Sequence, residues 1–278
     1  MTRQDSTGGA HDDRTPFADA SPLFIVGAVR SGTTLTRDLL RRVPNFICPE
    51  ETHFFRWSEP YRTPHSFQPH RNNQLLKKHR QMDGVTAEDF EQILHQSRNK
   101  AELQRHYITA FARAKGITAP YRWFDKTPQN VYGAPLIAQE MPEARFLNLV
   151  RNPLNVVASL ILGRQVKIPD LHGACNYWIE AVQIMTTVAD AYGDRVLTLR
   201  YEDLVADVPG AMAQILDHAG VAAPRGLYHA SDAHKEQNLW RTGLTPEQAG
   251  VVRNRCGVLA RRFGYDIADD LAQPDAAE

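Results

Sequence analysis

A short segment rich in hydrogen-bond donors, GAVRSGTT, runs from Gly27 to Thr34. Its glycines have the spacing of the phosphate-binding loop G-x-x-x-x-G-K-[ST], but Thr33 stands where that loop has its lysine. An apolar run precedes the segment and a helix-forming run follows it, so free N–H groups and the positive end of a helix would surround one oxyanion. We therefore predict an anion site that lacks the usual lysine and has Arg30 as its local cation.

Two adjacent carboxylates, Glu50 and Glu51, follow the apolar run at 46–48, where a strand would end. A carboxylate in a cleft can remove the proton from an acceptor hydroxyl, and His53 is the rival base close by. One of the two carboxylates is expected at the cleft, and we favour a carboxylate over His53 because the apolar pair that follows, Phe54 and Phe55, would bury it and raise its pKa.

Two cations follow other apolar runs. Lys126 comes after the aromatic run at 122–124, where it can stabilise negative charge on a leaving group. Arg151 follows the run at 146–150, and Ser159 lies about two helical turns into the next segment. Ligand sites of α/β proteins gather at such strand ends, and a guanidinium can bind a phosphate through two hydrogen bonds. Arg151 and Ser159 are therefore predicted to bind a second anionic group.

The elements that must position these residues can be predicted from hydrophobic periodicity. Short apolar runs predict strands at 23–26, 46–48, 122–124, 146–150 and 196–199. Helical periodicity predicts helices at 34–42, 86–115, 131–140, 155–162, 174–191, 208–219 and 245–263. This alternation predicts an α/β, P-loop-like three-layer fold with a central, mostly parallel sheet of about five strands flanked by helices.

The chain is expected to form one domain over residues 21–278, preceded by a disordered tail at 1–20. Residues 58–84 are rich in proline, histidine, arginine and glutamine, and we expect an irregular segment there. The longer range 58–118 is interpreted as a lid or substrate-side insertion. Its aromatic residues and those just before it either contact the acceptor or simply pack in the core: Phe54, Phe55, Trp57, Tyr61 and Phe67.

Composition excludes some classes of partner. The 32 basic residues balance the 32 acidic ones, so no overall field attracts nucleic acid or an anionic membrane. The first 21 residues lack the apolar core of a signal peptide, and no apolar run approaches the length of about 18 residues that a membrane helix needs. We expect a cytoplasmic protein with neither kind of partner.

Cysteine and histidine spacing indicates neither a disulfide framework nor a metal site. The three cysteines are far apart in the sequence, and we expect buried thiols in a reducing compartment: Cys48, Cys175 and Cys256. Four histidines lie in or near the insertion without the spacing of zinc ligands: His53, His65, His70 and His79.

Taken together, these motifs resemble the sulfotransferases that use 3′-phosphoadenosine 5′-phosphosulfate (PAPS), especially tyrosylprotein sulfotransferases and their bacterial relatives. The shared features are RSGTTL, EET, a lysine near the end of the third strand, VR with a serine eight residues later, and RYEDL. The resemblance runs from Leu23 to about Gly264. It implies in-line transfer of SO₃ to an acceptor hydroxyl, with adenosine 3′,5′-bisphosphate as the product and no metal.

The resemblance also implies roles for individual residues. The 5′-phosphosulfate would be bound by Arg30, Ser31, Gly32, Thr33 and Thr34. Arg151 and Ser159 would bind the 3′-phosphate, while Tyr201 would lie near the nucleotide. Glu51 would be the catalytic base, with Lys126 and Arg30 as electrostatic stabilisers. The carboxy-terminal loop that folds over PAPS would contain Lys235, Asn238, Trp240 and Arg241.

Other functions remain open at this point. One alternative is a P-loop phosphotransferase with arginine in place of lysine, although VRNP at 150–153 supplies no carboxylate to hold magnesium. Another is a nucleotide-binding domain without catalytic activity, against which the presence of Glu51 and Lys126 argues. The acceptor is a small-molecule alcohol or phenol, a carbohydrate, a lipid-linked glycan or a peptide tyrosine.

Overall fold

A parallel β-sheet forms the centre of the fold. The computed structural model describes residues 21–57, 60–63, 65–163, 166–234 and 236–267. Within these residues the sheet has five strands, in the order β2-β3-β1-β4-β5, and every neighbouring pair is parallel. The strands are β1 (Leu23–Gly27), β2 (Phe46–Ile47), β3 (Arg122–Lys126), β4 (Arg145–Val150) and β5 (Val196–Arg200).

Helices cover both faces of the sheet and complete the predicted three layers. The α-helices of the described residues are α1 (Thr33–Leu40), α2 (Gln68–Asn72), α3 (Gln74–Asp83), α4 (Ala87–Gln96), α5 (Lys100–Ala114), α6 (Ala134–Glu140), α7 (Pro153–Leu162), α8 (Leu171–Tyr192), α9 (Tyr201–Ala206), α10 (Val208–Ala219), α11 (Trp240–Gly243) and α12 (Pro246–Arg261). Helices α1, α9 and α10 pack on one face, and the larger layer on the other face includes α4 to α8 and α12. The predicted α/β class is confirmed.

Side chains alternate between the two faces along β1, as the pleat of a strand requires. Leu23 and Ile25 point into the core beneath α1, α9 and α10, whereas Phe24 and Val26 point into the larger core. The Phe24 ring lies 5.8 Å from Trp123 and 6.0 Å from Phe146 between ring centroids. Both faces of β1 are therefore buried, which explains why its sequence is continuously apolar.

Two predictions about the helices are wrong. The helix expected at 86–115 is divided at Ser97, and Asn99 caps the second part by accepting the Glu102 N–H at 2.8 Å. Residues 68–83, expected to be irregular, form α2 and α3. Asn73 caps α3 by accepting the N–H groups of the two leucines that follow it in that helix, which the polar composition concealed.

Other expectations concern the ends of the chain, the membrane and the cysteines. The tail predicted at 1–20 lies outside the described residues. In the part of the chain that is described, no helix has the length and apolarity needed to cross a bilayer. The three cysteines are buried free thiols, as predicted.

We predict that Gly27→Ala destabilises the fold by about 2–4 kcal/mol. Gly27 has a φ of 141°, and a Cβ atom added there would lie 2.5 Å from the Leu149 carbonyl oxygen of β4. Urea unfolding measures the effect.

Gly250→Ala is the matched control, because Gly250 lies inside α12 and an added Cβ would meet open space. Its stability should be unchanged or raised by up to about 1 kcal/mol, since alanine favours helix. Equal stabilities for the two variants would contradict the steric argument.

Candidate active site

The phosphate-loop segment connects β1 to α1 with a backbone that requires glycine. Gly32 precedes α1 with a φ of 91°, and a Cβ atom there would lie 2.2 Å from the Tyr201 ring. Arg30 also has a positive φ, 73°. The loop is thus packed against the first residue of α9, and its conformation is held before any ligand binds.

Several donors at the start of α1 lack a partner among the described residues. The N–H groups in the first turn of α1 have no partners within their own helix, as at any helix start. Ser31 is fully buried, and among the described residues nothing accepts from or donates to its hydroxyl. Buried polar groups are nearly always hydrogen-bonded, so the Ser31 hydroxyl is available to an oxygen-bearing ligand. This arrangement fits the predicted oxyanion.

A carboxylate, an ammonium and an imidazole meet where β3 ends. Lys126, which is only 3% exposed, donates to Glu51 Oε1, and His53 Nε2 lies 3.3 Å from Glu51 Oε2. The His53 side chain is 5% exposed and that of Glu51 is 27% exposed. Glu51 is therefore the most exposed of the three side chains, whereas Lys126 and His53 are buried.

The pKa of Glu51 is lowered, which corrects the sequence-based expectation. Burial acts to raise it, but the hydrogen bond from His53 and the charge of Lys126 outweigh that effect and hold the pKa at about 2. Phe54 and Phe55 are buried in the larger core. Their presence beside Glu51 in the sequence did not predict the direction of the shift.

Glu50 takes no part in this group. Its carboxylate lies 3.1 Å from both Arg37 and Arg41, on α1 and just after it. Two adjacent carboxylates thus have separate partners, and only Glu51 faces Lys126.

A buried network, which the sequence analysis missed, attaches the Glu51 segment to β3. Thr52 donates its N–H to Thr127 Oγ1 at 3.0 Å and its hydroxyl to Asp125 at 2.8 Å. Asn130 donates to the other Asp125 oxygen at 3.0 Å and accepts the Phe55 N–H at 3.2 Å. Because β3 lies between β1 and β2, these contacts with the β3 segment bring Glu51 toward the loop. The sequence signal that could have indicated this network is Asp125, a carboxylate directly before Lys126 in the segment WFDKTP.

Arg151 and Ser159, which were predicted to bind a second anionic group, both contact Arg30 of the loop. Arg30 Nε donates to Ser159 Oγ at 2.8 Å, and Arg151 Nη1 donates to the Arg30 carbonyl at 2.9 Å. The Arg151 guanidinium stacks 4.5 Å from the centroid of Tyr201. The side chain of Arg30 is thus directed toward Ser159 rather than toward Glu51 and Lys126.

Glu202 of the RYEDL motif anchors the segment that carries Arg151. It accepts the Asn152 N–H at 3.0 Å and the Tyr265 hydroxyl at 2.6 Å. Tyr265 also lies 3.2 Å from the Val150 carbonyl. The carboxy-terminal end of the described chain therefore supports the end of β4.

A cavity of about 320 Å³ lies next to Arg151. Its lining comprises Leu35, Arg151, Tyr201, Asp232, Ala233, His234, Glu236, Gln237 and Leu239. Glu236, which sequence analysis did not identify, accepts two hydrogen bonds from Arg151, both at 2.7 Å. Short loops give no periodic signal, so this contact could not be inferred from the sequence.

The other residues predicted in the carboxy-terminal loop have structural contacts or lie outside the description. Lys235 lies outside the described residues. Asn238 accepts from Asn155 Nδ2 at 3.2 Å. Trp240 is buried, and the Arg241 guanidinium lies 4.6 Å from the centroid of its ring.

The four histidines have different surroundings. His70 packs against Phe54, and burial is the main cause that lowers its pKa, to about 3. His79 Nδ1 lies 3.1 Å from the Glu51 carbonyl, and His65 is exposed. No group of three or more potential metal ligands occurs in the described ranges.

We predict that Glu51→Gln destabilises the fold at pH 7 and that the difference from wild type shrinks as the pH falls from about 4.5 to about 2. Because the folded-state pKa is about 2, below the ordinary 4.5, the ionised carboxylate stabilises the folded state above that range and loses this effect within it. Urea unfolding at several pH values measures the difference.

The control is Glu88→Gln on the exposed surface of α4. Its effect on stability should stay within about 0.5 kcal/mol throughout the range. A pH-independent loss in Glu51→Gln would contradict the role of ionisation.

Solved structures share the fold. A sulfotransferase domain from the olefin synthase of Synechococcus PCC 7002 matches with a TM-score of 0.62 and 23% identity, over 89% of this chain and 96% of that one. A sulfotransferase from Alicyclobacillus acidocaldarius matches with a TM-score of 0.55 and 16% identity, over 91% and 99%.

Proteins with similar sequences are also named as sulfotransferases. The chain is 24% identical to the omega-hydroxy-beta-dihydromenaquinone-9 sulfotransferase Stf3 of Mycobacterium bovis, over 91% of this chain and 77% of that protein. It is 25% identical to protein-tyrosine sulfotransferase A of Caenorhabditis elegans, over 88% and 67%. Residues 22–225 match the model of the sulfotransferase family. This match covers well over half of the chain, which therefore belongs to the sulfotransferase family and is a sulfotransferase.

Proposed function

We propose that this enzyme transfers a sulfuryl group from PAPS to an acceptor hydroxyl and releases adenosine 3′,5′-bisphosphate. The observation that carries the proposal is the placement of Lys126 opposite Ile25 in the β1–β3 register. This register brings the Glu51–Lys126 pair to the edge of the sheet where the loop with the orphaned Ser31 hydroxyl begins. A base, a cation and an oxyanion cradle thus border one region.

The residues around the cradle suit the two anionic ends of PAPS. Arg30, Ser31, Gly32, Thr33 and Thr34 would bind the 5′-phosphosulfate through backbone and side-chain donors. Arg151 and Ser159 would bind the 3′-phosphate, because a guanidinium and a hydroxyl are both donors. Tyr201 lines the adjoining cavity, where the nucleoside would lie, and Lys235 remains a predicted nucleotide-binding residue.

The bound donor supplies the chemistry: its sulfur–oxygen bond to the phosphate breaks as a bond to the acceptor oxygen forms. Glu51 would take the proton of the acceptor hydroxyl. His53 would orient the Glu51 carboxylate through Nε2, since it is buried and already directed at that group. Lys126 and Arg30 would stabilise negative charge on the leaving side.

The Glu51–Lys126 contact also regulates the strength of the base. While Lys126 donates to Glu51, the pKa of Glu51 is about 2, which makes the carboxylate a weak base. If Lys126 turned toward the phosphosulfate, its share of the lowering would be lost and the pKa of Glu51 would rise, while the hydrogen bond from His53 would continue to lower it. The carboxylate therefore gains basicity when the donor is bound.

The acceptor is proposed to be a hydroxyl compound: a small molecule, a carbohydrate or a peptide tyrosine. The relatives' names include a hydroxylated dihydromenaquinone and protein tyrosine as acceptors of those proteins. Of the aromatic residues expected at the acceptor, Phe54, Phe55 and Phe67 are buried in the core. Trp57 and Tyr61 are half-buried, so they are the better candidates for contact with the acceptor.

We expect adenosine 3′,5′-bisphosphate to raise the melting temperature of the enzyme, whereas ATP with magnesium should not. A ligand at 100 times its Kd adds about 2.7 kcal/mol to stability. Differential scanning fluorimetry measures the shift, and Arg151→Gln should lose most of it.

The control variant Arg261→Gln changes an exposed arginine at the end of α12 and should keep the full shift. Stabilisation by ATP with magnesium alone would contradict the proposed donor.

Glu51→Gln should lower the rate of sulfuryl transfer by about 10²–10⁴-fold, because the base is lost. Its affinity for adenosine 3′,5′-bisphosphate should not fall by more than about threefold from wild type, since Glu51 is proposed to act on the acceptor. Labelled PAPS with phenols, sugars and tyrosine peptides as acceptors measures the rate.

Glu50→Gln provides the neighbouring control, because Glu50 is paired with Arg37 and Arg41 instead. Its rate should remain within about threefold of wild type. If Glu50→Gln lost activity and Glu51→Gln kept it, the assignment of the base would be wrong.

A further inference from the structure

Glu236 is bound to the Arg151 guanidinium, which is the group proposed to bind the 3′-phosphate. Arg151 Nε and Nη2 each donate to one Glu236 oxygen at 2.7 Å, and the two side chains are 14% and 12% exposed. Glu236 Oε1 also accepts the N–H of Gln237 at 2.9 Å and that of Asn238 at 3.2 Å. The Glu236 carboxylate therefore neutralises Arg151 and also connects the backbone at 237–238 to it.

A third nitrogen of Arg151 also has a partner. Nη1 donates to the Arg30 carbonyl at 2.9 Å, and the guanidinium plane is stacked on Tyr201. The edge that Glu236 occupies is thus the edge that a phosphate would use for two parallel hydrogen bonds. A carboxylate and a phosphate cannot both stay on that edge, because like charges at such short range repel each other strongly.

We propose that Glu236 is an internal competitor of the 3′-phosphate. The Glu236 carboxylate binds Arg151 in the nucleotide-free enzyme, and the 3′-phosphate replaces it when the nucleotide binds. This inference rests on the proposed function. Glu236, Gln237 and Leu239 line the neighbouring cavity, so the exchange moves part of the cavity wall. Nucleotide binding and loop position are thereby coupled through one guanidinium.

The exchange has a consequence for product release. When adenosine 3′,5′-bisphosphate leaves, the returning carboxylate pairs with Arg151, so the half-buried guanidinium is never left without an anion. An unpaired buried charge is costly, and its replacement partner lowers the cost of release. Glu236 therefore weakens binding of a nucleotide with a 3′-phosphate and has little effect on one without it.

The test is isothermal titration calorimetry with adenosine 3′,5′-bisphosphate and with adenosine 5′-monophosphate, which lacks the 3′-phosphate. Glu236→Gln should bind the bisphosphate at least about tenfold more tightly than wild type, or about 1.4 kcal/mol. Its affinity for the monophosphate should change by less than about threefold, since Arg151 need not exchange partners for that ligand.

Asp232→Asn is the charge-matched control. Asp232 lines the same cavity, but its carboxylate lies 2.8 Å from Arg42 rather than against Arg151. Removal of this charge should change the affinity for the bisphosphate by less than about threefold. Circular dichroism establishes that each variant is folded, and Glu236→Ala gives the same comparison if Glu236→Gln does not fold.

Two results would overturn the inference. In the first, Glu236→Gln binds the bisphosphate no more tightly than wild type does. In the second, Asp232→Asn gains as much affinity for the bisphosphate as Glu236→Gln does, or Glu236→Gln gains as much affinity for the monophosphate. Either outcome would assign the effect to net charge. If wild type binds neither the bisphosphate nor PAPS, the proposed function fails as well. Wild-type binding without a gain in Glu236→Gln refutes this inference alone.

Discussion

A cation with little exposure to water needs an anionic partner, and this requirement shapes the candidate site. Lys126 is 3% exposed and the Arg151 side chain 14% exposed, so each would be costly to leave unpaired. The chain places a carboxylate against each of them: Glu51 against Lys126 and Glu236 against Arg151. In a site suited to anionic ligands, the protein's own carboxylates therefore neutralise the two cations. Both ion pairs lie where the charges of the ligand are proposed to bind.

The parallel sheet brings these groups to a common edge. Because β1, β3 and β4 run in the same direction, the phosphate loop, Lys126 and Arg151 all lie at or just after the carboxyl ends of neighbouring strands. The Glu51 segment reaches this edge by a different route. It follows β2, which has two residues, and its position depends on hydrogen bonds from Thr52 to Asp125 and Thr127. Glu51 is thus attached to the strand that carries Lys126.

Local patterns predicted much of this arrangement. Apolar runs located the strands, and glycine spacing located the loop, because both signals lie within a few consecutive residues. The pKa of Glu51 depends on Lys126, 75 residues later, and the role of Arg151 in the unliganded protein depends on Glu236, 85 residues later. No local pattern reports such contacts. Helices α2 and α3 were missed because their polar composition hid the amphipathic period and because an asparagine cap was not recognised.

The close approach of Gly32 to the Tyr201 ring links two positions that are distant in the sequence. A Cβ atom at residue 32 and an aromatic ring at residue 201 cannot occupy this space together without a shift, since they would be 2.2 Å apart. The two positions form one steric unit, so substitutions at them should covary: a larger residue at 32 requires a smaller one at 201. Loss of the ring would in turn remove the surface on which Arg151 stacks. Evolutionary change in the loop is therefore constrained by a residue that begins a helix on the far side of β4.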